Sequence, residues 1–351
     1  MKPSAPKGKI LVIRGGAIGD FILTLPAIAA LRRQFPQAHL EVLGYPHIAQ
    51  LALAGGLVDR VQPIEARGLA GFFARDGKLA PDLADYFSEF NIIVSYLYDP
   101  DEIFQTNIAR CAPAQFIGAP HRPDETNRTH ATAVYLKPLE RLAIFAADPV
   151  PRLTVAPASR RSQSSATGGF KGAAPAESLP ENDPGPTPAL RTLALHPGSG
   201  SERKNWPEAN WAELLAKLER ETNWNLLLVG GEAEGQRLKR LAARLPLNRC
   251  ELAQSLPLVE LAHRLQSCAG FVGHDSGISH LAAALGLPGV VLWAHTIEEI
   301  WRPQGERVTI VKETAGLPGL SIDRVAAELQ RLLPPGVHPP DSSHDRPKSL
   351  F

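Results

Sequence analysis

An acidic residue follows a glycine-rich turn near the start of the chain. Residues Arg14 to Asp20 read RGGAIGD and come directly after a short apolar run. Glycines at a strand–helix turn let another group approach the backbone closely. Asp20 is either a helix-capping residue or a carboxylate at the edge of a parallel sheet, where ligands bind. The turn has neither the G-x-G-x-x-G of a dinucleotide site nor the Gly-Lys-Ser/Thr of a P-loop.

A second turn combines small residues with positive charge. It runs from His196 to Pro207 and reads HPGSGSERKNWP. Its small residues expose backbone N–H groups, Ser199 and Ser201 add hydroxyl donors, and Lys204 adds a cation beside Arg203. This combination suits a phosphate or a diphosphate. A plain loop leading into a helix is the alternative interpretation.

A third apolar run ends on two glycines and an acid. Residues Val229 to Glu232 read VGGE. In a nucleotide-binding fold, an acidic side chain just after a strand can accept hydrogen bonds from ribose hydroxyls. A glutamate that only begins a helix is the alternative for Glu232.

A fourth motif, Gly273 to Leu285, reads GHDSGISHLAAAL. Asp275 or Ser276 can cap the small, alanine-rich helix, whose free N–H groups offer an anion site. His274 and His280 lie six residues apart, which differs from the i, i+4 spacing of a helical zinc site. His280 is either a site residue or a packed helix residue.

The triplet Asp99-Pro-Asp101 could hold a divalent metal against a diphosphate. A proline followed by Asp101 and Glu102 is more typical of a helix start. We therefore predict no metal site in the chain.

The strands and helices that position these motifs can be read from the sequence, in which short apolar runs alternate with longer amphipathic segments. Continuous β-branched or leucine-rich runs are typical of parallel strands buried on both faces, and their alternation with helices predicts doubly wound α/β sheets. The predicted strands are Ile10–Arg14, Leu40–Leu43, Asn91–Tyr96, Thr192–His196, Asn225–Val229, Gly270–Val272, Gly289–Trp293 and Val308–Val311. The predicted helices are Phe21–Gln34, Pro207–Thr222, Glu232–Leu245, Leu258–Gln266, Ser276–Leu285 and Ile322–Leu333.

Composition excludes several classes of protein. The 351 residues carry a formal net charge of +1, so no strong positive field for nucleic acid is expected. Three widely spaced cysteines exclude a disulfide framework and suit a reducing compartment. No stretch approaches the ~18 consecutive apolar residues of a transmembrane helix. We therefore expect a cytoplasmic protein.

The strand–helix pattern stops and then restarts, which divides the chain. Residues 156–190 are rich in Pro, Ser and Gly and predict a flexible linker or insertion, and residues 334–351 predict a disordered tail. The remaining segments, 1–155 and 191–333, are predicted to be two α/β domains that face a cleft.

Taken in order, the four motifs resemble those of glycosyltransferase family 9, the heptosyltransferases of lipopolysaccharide core synthesis. The first motif continues into LPAIAALR at Leu25 to Arg32, which adds to the resemblance. The resemblance implies the GT-B fold, two Rossmann-like domains with parallel sheets facing a central cleft. It also implies an ADP-activated heptose donor, inversion at the anomeric carbon and no bound metal or other cofactor.

The resemblance also implies a role for each motif. Asp20 corresponds to the general base of the family. The implied donor-binding residues are Ser199, Ser201 and Lys204 at the phosphates, Glu232 at the ribose, and Asp275, Ser276, Gly277 and His280 at the diphosphate and sugar.

Two positions depart from the family pattern. His274 stands where the family often has Asn, and residues 293–296 read WAHT in place of a Gly-Pro-Thr-type turn. His295 is either a new phosphate or sugar contact or an exposed loop residue. The identities of the sugar and of the nucleotide base are open for this reason.

The predicted acceptor-binding residues are basic. Arg14 is the first residue of the RGGAIGD motif that contains Asp20, and Arg67, Arg75 and Lys78 surround two phenylalanines at positions 72 and 73. In the resembled family the N-terminal domain binds a lipid-linked acceptor, so this loop could contact anionic headgroups. The alternative is a surface loop with Phe72 or Phe73 tucked into the core.

The resemblance therefore implies heptosyl transfer from ADP-heptose to a lipid-linked lipopolysaccharide core acceptor. The expected location is the cytoplasm, with peripheral attachment at the inner face of the cytoplasmic membrane. Two alternatives stay open. One is a family relative that uses another nucleotide sugar or surface-glycan acceptor, and the other is a non-catalytic protein that binds nucleotide sugars.

Overall fold

The computed structural model describes residues 8–156 and 191–333. The first part forms a five-stranded parallel sheet in the order β3-β2-β1-β4-β5. Its strands are β1 Lys9–Arg14, β2 His39–Gly44, β3 Arg60–Pro63, β4 Ile92–Ser95 and β5 Gln115–Gly118. Its α-helices are α1 Ile18–Gln34, α2 Pro46–Ala54, α3 Pro81–Ser88, α4 Ile103–Ala109 and α5 Ala131–Leu136, with 3₁₀ turns at Arg67–Phe73 and Lys137–Leu142.

The second part forms a six-stranded parallel sheet in the order β11-β10-β9-β6-β7-β8. Its strands are β6 Thr192–Leu195, β7 Asn225–Gly230, β8 Cys250–Gln254, β9 Gly270–His274, β10 Gly289–Trp293 and β11 Val308–Lys312. Its α-helices are α6 Glu208–Glu221, α7 Gly235–Ala242, α8 Leu258–Gln266, α9 Gly277–Ala284, α10 Glu298–Trp301 and α11 Ile322–Leu332, with 3₁₀ turns at Glu202–Lys204 and Leu317–Gly319.

The central strands are apolar on both faces because each face packs against a different layer. In β1, Ile10 and Val12 belong to one buried cluster, whereas Leu11 and Ile13 belong to another. The cluster that contains Ile10 continues into β7, since it also includes Leu227. The hydrophobic core therefore extends across the contact between the two domains, where α1 packs against α9.

The predicted α/β class and two parallel sheets are confirmed, and each predicted strand overlaps an observed one. Helix α1 begins at Ile18, three residues before the predicted start, so Asp20 lies in its first turn. Helix α7 begins at Gly235, so Glu232 lies before it rather than at its start. Apart from Ala156, the predicted linker 156–190 lies outside the described residues, as does the tail 334–351.

Candidate functional site

A cavity of about 600 Å³ opens where the carboxyl ends of the two sheets face each other. Ligands of open α/β sheets bind at this end of the strands. Both domains line the cavity, and of the predicted site residues it includes Arg14, Asp20, Ser199, Lys204, Asp275, Ser276, Gly277 and His280. The structure thus brings together the predicted base and most of the predicted donor-binding residues.

The turn between β1 and α1 presents Asp20 to this cavity. Gly16 has a φ of +98°, a conformation that glycine adopts without a steric penalty, and helix α1 follows immediately. One carboxylate oxygen of Asp20 accepts the N–H of Ala17 at 3.2 Å. The side chain remains one-third exposed. Asp20 therefore contributes to the capping of α1 and is also available to a ligand, so the two sequence interpretations are compatible.

Arg14 lies behind Asp20 and is almost fully buried. Its guanidinium donates to the carbonyl oxygens of His121 and Asp20, at 2.8 and 3.3 Å, and lies 3.8 Å from the carboxylate of Asp20. The aromatic ring of Tyr135 packs on the same guanidinium, 4.6 Å from its centre. Only 3% of the Arg14 side chain is exposed, so this geometry favours a role in holding Asp20 over direct acceptor binding.

Lys204 and Asp275 form an ion pair on the opposite wall of the cavity. The Lys204 ammonium lies 2.6 Å from a carboxylate oxygen of Asp275, which also accepts the hydroxyl hydrogen of Thr296. Lys204 is half-buried and Asp275 is 12% exposed. An anion that binds here must compete with Asp275 for the ammonium. Ser199 lines the same cavity and donates to the side-chain oxygen of Asn205, whereas Ser201 is exposed and outside it.

Helix α9 points its N-terminus at the cavity. The hydroxyl of Ser276 caps the helix by accepting the N–H of Ser279 at 3.3 Å, and Gly277 is the first helical residue. The free N–H groups of a helix start favour an anion. His280 follows one turn later and is buried, which lowers its pKa to about 4 despite the nearby Asp275 and Asp20. At neutral pH His280 is therefore uncharged.

A second cavity of about 650 Å³ adjoins the first and shares Ser199 and Gly277 with it. The glycines of the VGGE motif, Gly230 and Gly231, lie in its wall together with apolar side chains of β7 and α8. Glu232 is exposed and outside the wall, while Glu234 lines it and accepts the N–H of Gly231 at 2.9 Å. Glu65 also lines this cavity, so its lining carboxylates are Glu65 and Glu234, and the predicted Glu232 is not among them.

The predicted basic acceptor loop does not reach either cavity. Arg67, Arg75 and Lys78 are exposed, and Arg75 lies 3.5 Å from the carboxylate of Asp101. The loop is ordered by Asn107, whose amide donates to the carbonyl oxygens of residues 72 and 74. Phe72 is buried in the core, whereas Phe73 is about half exposed at the surface.

Several lining residues were not singled out from the sequence. Tyr98 is 69% exposed at the cavity, and its ring packs edge-on against His121 at 4.7 Å. Arg122 lies over the ring of Trp301 at 5.2 Å, and both side chains bond to Glu125. These residues follow β4 and β5 or belong to α10, and only their position at strand ends could have indicated them. His295 is exposed and lines neither cavity.

The contact between Gly19 and Gly277 gives the first prediction. A methyl group on Gly277 would lie 2.7 Å from Cβ of Ile18 and 2.9 Å from the backbone nitrogen of Gly19. Gly277→Ala should therefore push α1 and α9 apart and reduce the free energy of unfolding by about 1–3 kcal/mol. Thermal unfolding and small-angle scattering measure the two effects. Gly319→Ala, whose methyl would meet its nearest atom at 3.8 Å, is the control, and equal behaviour of the two variants contradicts the prediction.

Within 8–156 and 191–333, no group of three or more His, Cys, Asp or Glu side chains could hold a metal ion. No helix in the described part of the chain is long and apolar enough to cross a membrane.

Two parallel α/β domains that face a shared cavity define the class of protein as GT-B. The sequence profile of Glycosyltransferase family 9 (heptosyltransferase) matches residues 142–325, more than half of the chain. The chain therefore belongs to glycosyltransferase family 9.

Individual relatives agree with this assignment. Lipopolysaccharide heptosyltransferase 1 of Pseudomonas aeruginosa is 40% identical over 124 residues, which are 34% of this chain and 32% of that protein. The match thus spans about a third of that relative's length.

Solved structures share the fold over nearly the whole chain. The glycosyl transferase family 9 protein from Veillonella parvula DSM 2008 has a TM-score of 0.70 at 17% identity and covers 93% of this chain and 97% of its own. E. coli ADP-heptose lps heptosyltransferase II has a TM-score of 0.70 at 18% identity, with 92% and 98% covered. A more distant relative in fold, TibC of enterotoxigenic E. coli, is an iron-containing dodecamer (TM-score 0.54, 14% identity, 93% and 76% covered).

Proposed function

We propose that this glycosyltransferase moves a heptose from ADP-heptose to a lipopolysaccharide core acceptor, with inversion at the anomeric carbon. The observation that carries the proposal is the pair of facing walls, with Asp20 on one domain and Lys204 beside the start of α9 on the other. One wall can accept a proton and the other can stabilise a leaving diphosphate. The name of the E. coli relative, an ADP-heptose heptosyltransferase, supports the choice of donor.

The donor would occupy both cavities. Apolar side chains of the second cavity, such as Val229 and Leu258, suit the adenine ring. Glu234, which lines this cavity, and the exposed Glu232 beside Gly231 are the carboxylates that we assign to the ribose hydroxyls. The diphosphate would then lie between Lys204 and the N-terminus of α9, where the two cavities meet.

The residues of the first cavity suit a single displacement. The acceptor oxygen bonds to the anomeric carbon while the bond from that carbon to the ADP phosphate oxygen breaks. The acceptor hydroxyl proton moves to Asp20, and ADP leaves with the bonding electron pair. Lys204 and the helix start stabilise the charge that builds on the diphosphate. Because base and leaving group are held by opposite walls, attack occurs opposite the leaving group and the anomeric configuration inverts.

A donor panel tests the proposal. Purified protein is incubated with ADP-heptose, ADP-glucose or UDP-glucose and a lipid-linked core acceptor, and nucleotide release is measured with and without EDTA. We expect acceptor-dependent ADP release from ADP-heptose only, unchanged by EDTA because the proposed chemistry needs no metal. Release from another donor supports the alternative substrate, and tight ADP binding without any release supports the non-catalytic alternative. Loss of activity in EDTA contradicts metal independence.

We further propose a cytoplasmic protein that attaches to the inner face of the cytoplasmic membrane. The attachment surface is the Arg67–Phe73 turn with the segment up to Lys78, where an exposed aromatic ring is flanked by exposed cations. Aromatic rings insert at the lipid interface while cations contact anionic headgroups. The lipid-linked acceptor would then be reached from this side of the N-terminal domain.

Phe73 provides a test of this attachment. Because Phe73 is about half exposed and Phe72 is fully buried, Phe73→Ala removes the exposed ring and leaves the buried core residue in place. We expect binding to vesicles of anionic phospholipid to fall by about tenfold, measured by co-sedimentation. Leu247→Ala on the C-terminal domain removes an even more exposed apolar side chain and should change nothing. Equal vesicle binding by wild type and Phe73→Ala excludes this surface.

A further inference from the structure

A fully buried histidine connects the two elements that flank the proposed diphosphate site. His274 is the last residue of β9, directly before Asp275, and its side chain has no exposed surface. Its ring contacts the loop that runs from Gly198 to Trp206, which we call the lysine loop because it carries Lys204. His274 itself lines neither cavity.

Both ring nitrogens of His274 bond to the ends of the lysine loop. Nε2 accepts the backbone N–H of Trp206 at 2.8 Å, so Nδ1 carries the ring proton. Nδ1 in turn donates to the carbonyl oxygen of Gly198 at 3.1 Å. Burial lowers the pKa of His274 to about 4, so the ring is neutral at neutral pH and has the one donor and one acceptor that these bonds require.

The position of His274 is itself determined by packing on other sides. Its carbonyl oxygen accepts the hydroxyl hydrogen of Ser279, which belongs to α9. The ring of Trp211 packs edge-on against the imidazole, 5.4 Å between centres. Trp206 is anchored separately, because its indole N–H donates to the carbonyl oxygen of Leu320. His274 therefore links the lysine loop, through its ring, to α9, through its carbonyl oxygen.

We propose that His274 is a positioning residue that sets the distance between Lys204 and the N-terminus of α9, and so prepares the site for a nucleoside diphosphate. The inference depends on the proposed function, since ADP is the ligand that the two elements would share. Within the lysine loop, Ser199 bonds to Asn205 at 2.7 Å, so the loop has internal order of its own. What His274 adds is the attachment of both loop ends to β9.

Three substitutions separate the two ring contacts. His274→Phe keeps an aromatic ring but leaves the Trp206 N–H and the Gly198 carbonyl without their partner. His274→Asn places an amide donor near the Nδ1 position, and His274→Gln places an amide acceptor near the Nε2 position. We expect the dissociation constant for ADP, measured by calorimetry, to rise by about tenfold or more in the Phe variant and by less in the Asn and Gln variants.

Hydrogen exchange gives a readout that does not depend on the ligand. The amide of Trp206 should exchange faster in the Phe and Asn variants than in wild type, and at a rate near wild type in the Gln variant. If the Phe variant does not fold, the contrast between the Asn and Gln variants carries the test. An unchanged Trp206 exchange rate in the Asn variant overturns the proposal.

A destabilised control distinguishes positioning from a purely structural role. Leu265→Ala removes a buried side chain of α8 that lines neither cavity, so it should lower the melting temperature without changing ADP affinity. If it weakens ADP binding as much as His274→Phe does, His274 has only a structural role. If wild type binds ADP and all three His274 variants bind it equally well, the inference about His274 is wrong and the proposed function still stands. If wild type does not bind ADP, the proposed function fails and the inference falls with it.

Discussion

Replacing Asp20 with Asn is expected to reduce heptosyl transfer by about 10²–10⁴-fold, the usual contribution of a general base. An asparagine has nearly the same shape and keeps an oxygen that can accept the N–H of Ala17, so α1 should retain its cap. The amide cannot take the proton of the acceptor hydroxyl. Because Asp20 lies on the wall opposite Lys204, calorimetry should show ADP binding close to that of wild type.

Asp99 provides a matched control for this variant. It accepts the backbone N–H groups of Phe104 and Gln105 at the start of α4, but it lines neither cavity. Asp99→Asn should therefore keep normal turnover even if it costs some stability. The assignment of Asp20 as the base is wrong if Asp20→Asn turns over near the wild-type rate. A parallel loss of ADP binding would indicate a damaged site rather than a missing base.

Replacing Lys204 with Met is expected to lower turnover by about 10²–10³-fold, the effect of removing one preorganised charge stabiliser. The methionine keeps most of the length of the side chain and removes the ammonium that we assign to the leaving diphosphate. The change also leaves Asp275, which is only 12% exposed, without its cation. Stability should therefore fall as well, because a buried carboxylate loses its partner.

The double variant Lys204→Met with Asp275→Asn separates the two effects of this substitution. Neutralising Asp275 removes the unpaired charge, so the melting temperature should recover while turnover stays low. Lys217→Met serves as the control, because Lys217 of helix α6 forms ion pairs with Glu221 and Asp323 and lines neither cavity. Full recovery of turnover in the double variant would falsify the role of Lys204 at the diphosphate.

The arrangement of charges in the site agrees with the near-neutral net charge of the chain. At a net charge of +1 there is no global positive field to attract a nucleotide sugar. The proposed diphosphate site therefore depends on local groups, namely one lysine and one helix start. Lys204 is already paired with Asp275. When the diphosphate binds, an ion pair between Lys204 and the diphosphate has to replace the pair between Lys204 and Asp275.

The buried central strands were predictable because burial on both faces restricts their residues to apolar types. Strands β1, β9 and β10 are covered on both faces, which requires the continuous apolar runs that the sequence contains. The strands that were missed, β3, β5 and β8, are edge strands and contain exposed or polar residues. An edge strand needs less apolar surface, so its sequence carries a weaker signal.

The sequence by itself determined the α/β class, the two parallel sheets and the four motifs at the ends of strands, because each of these depends on local periodicity and turn chemistry. Only the tertiary structure decided which of those residues meet. It placed Asp20 opposite the Lys204–Asp275 pair, buried Arg14 behind Asp20, and left Arg67, Arg75 and Lys78 outside the cavities. These outcomes depend on the packing of α1 against α9 across the two domains. Gly19 and Gly277, which meet there, lie far apart in the chain, and no local pattern encodes their contact.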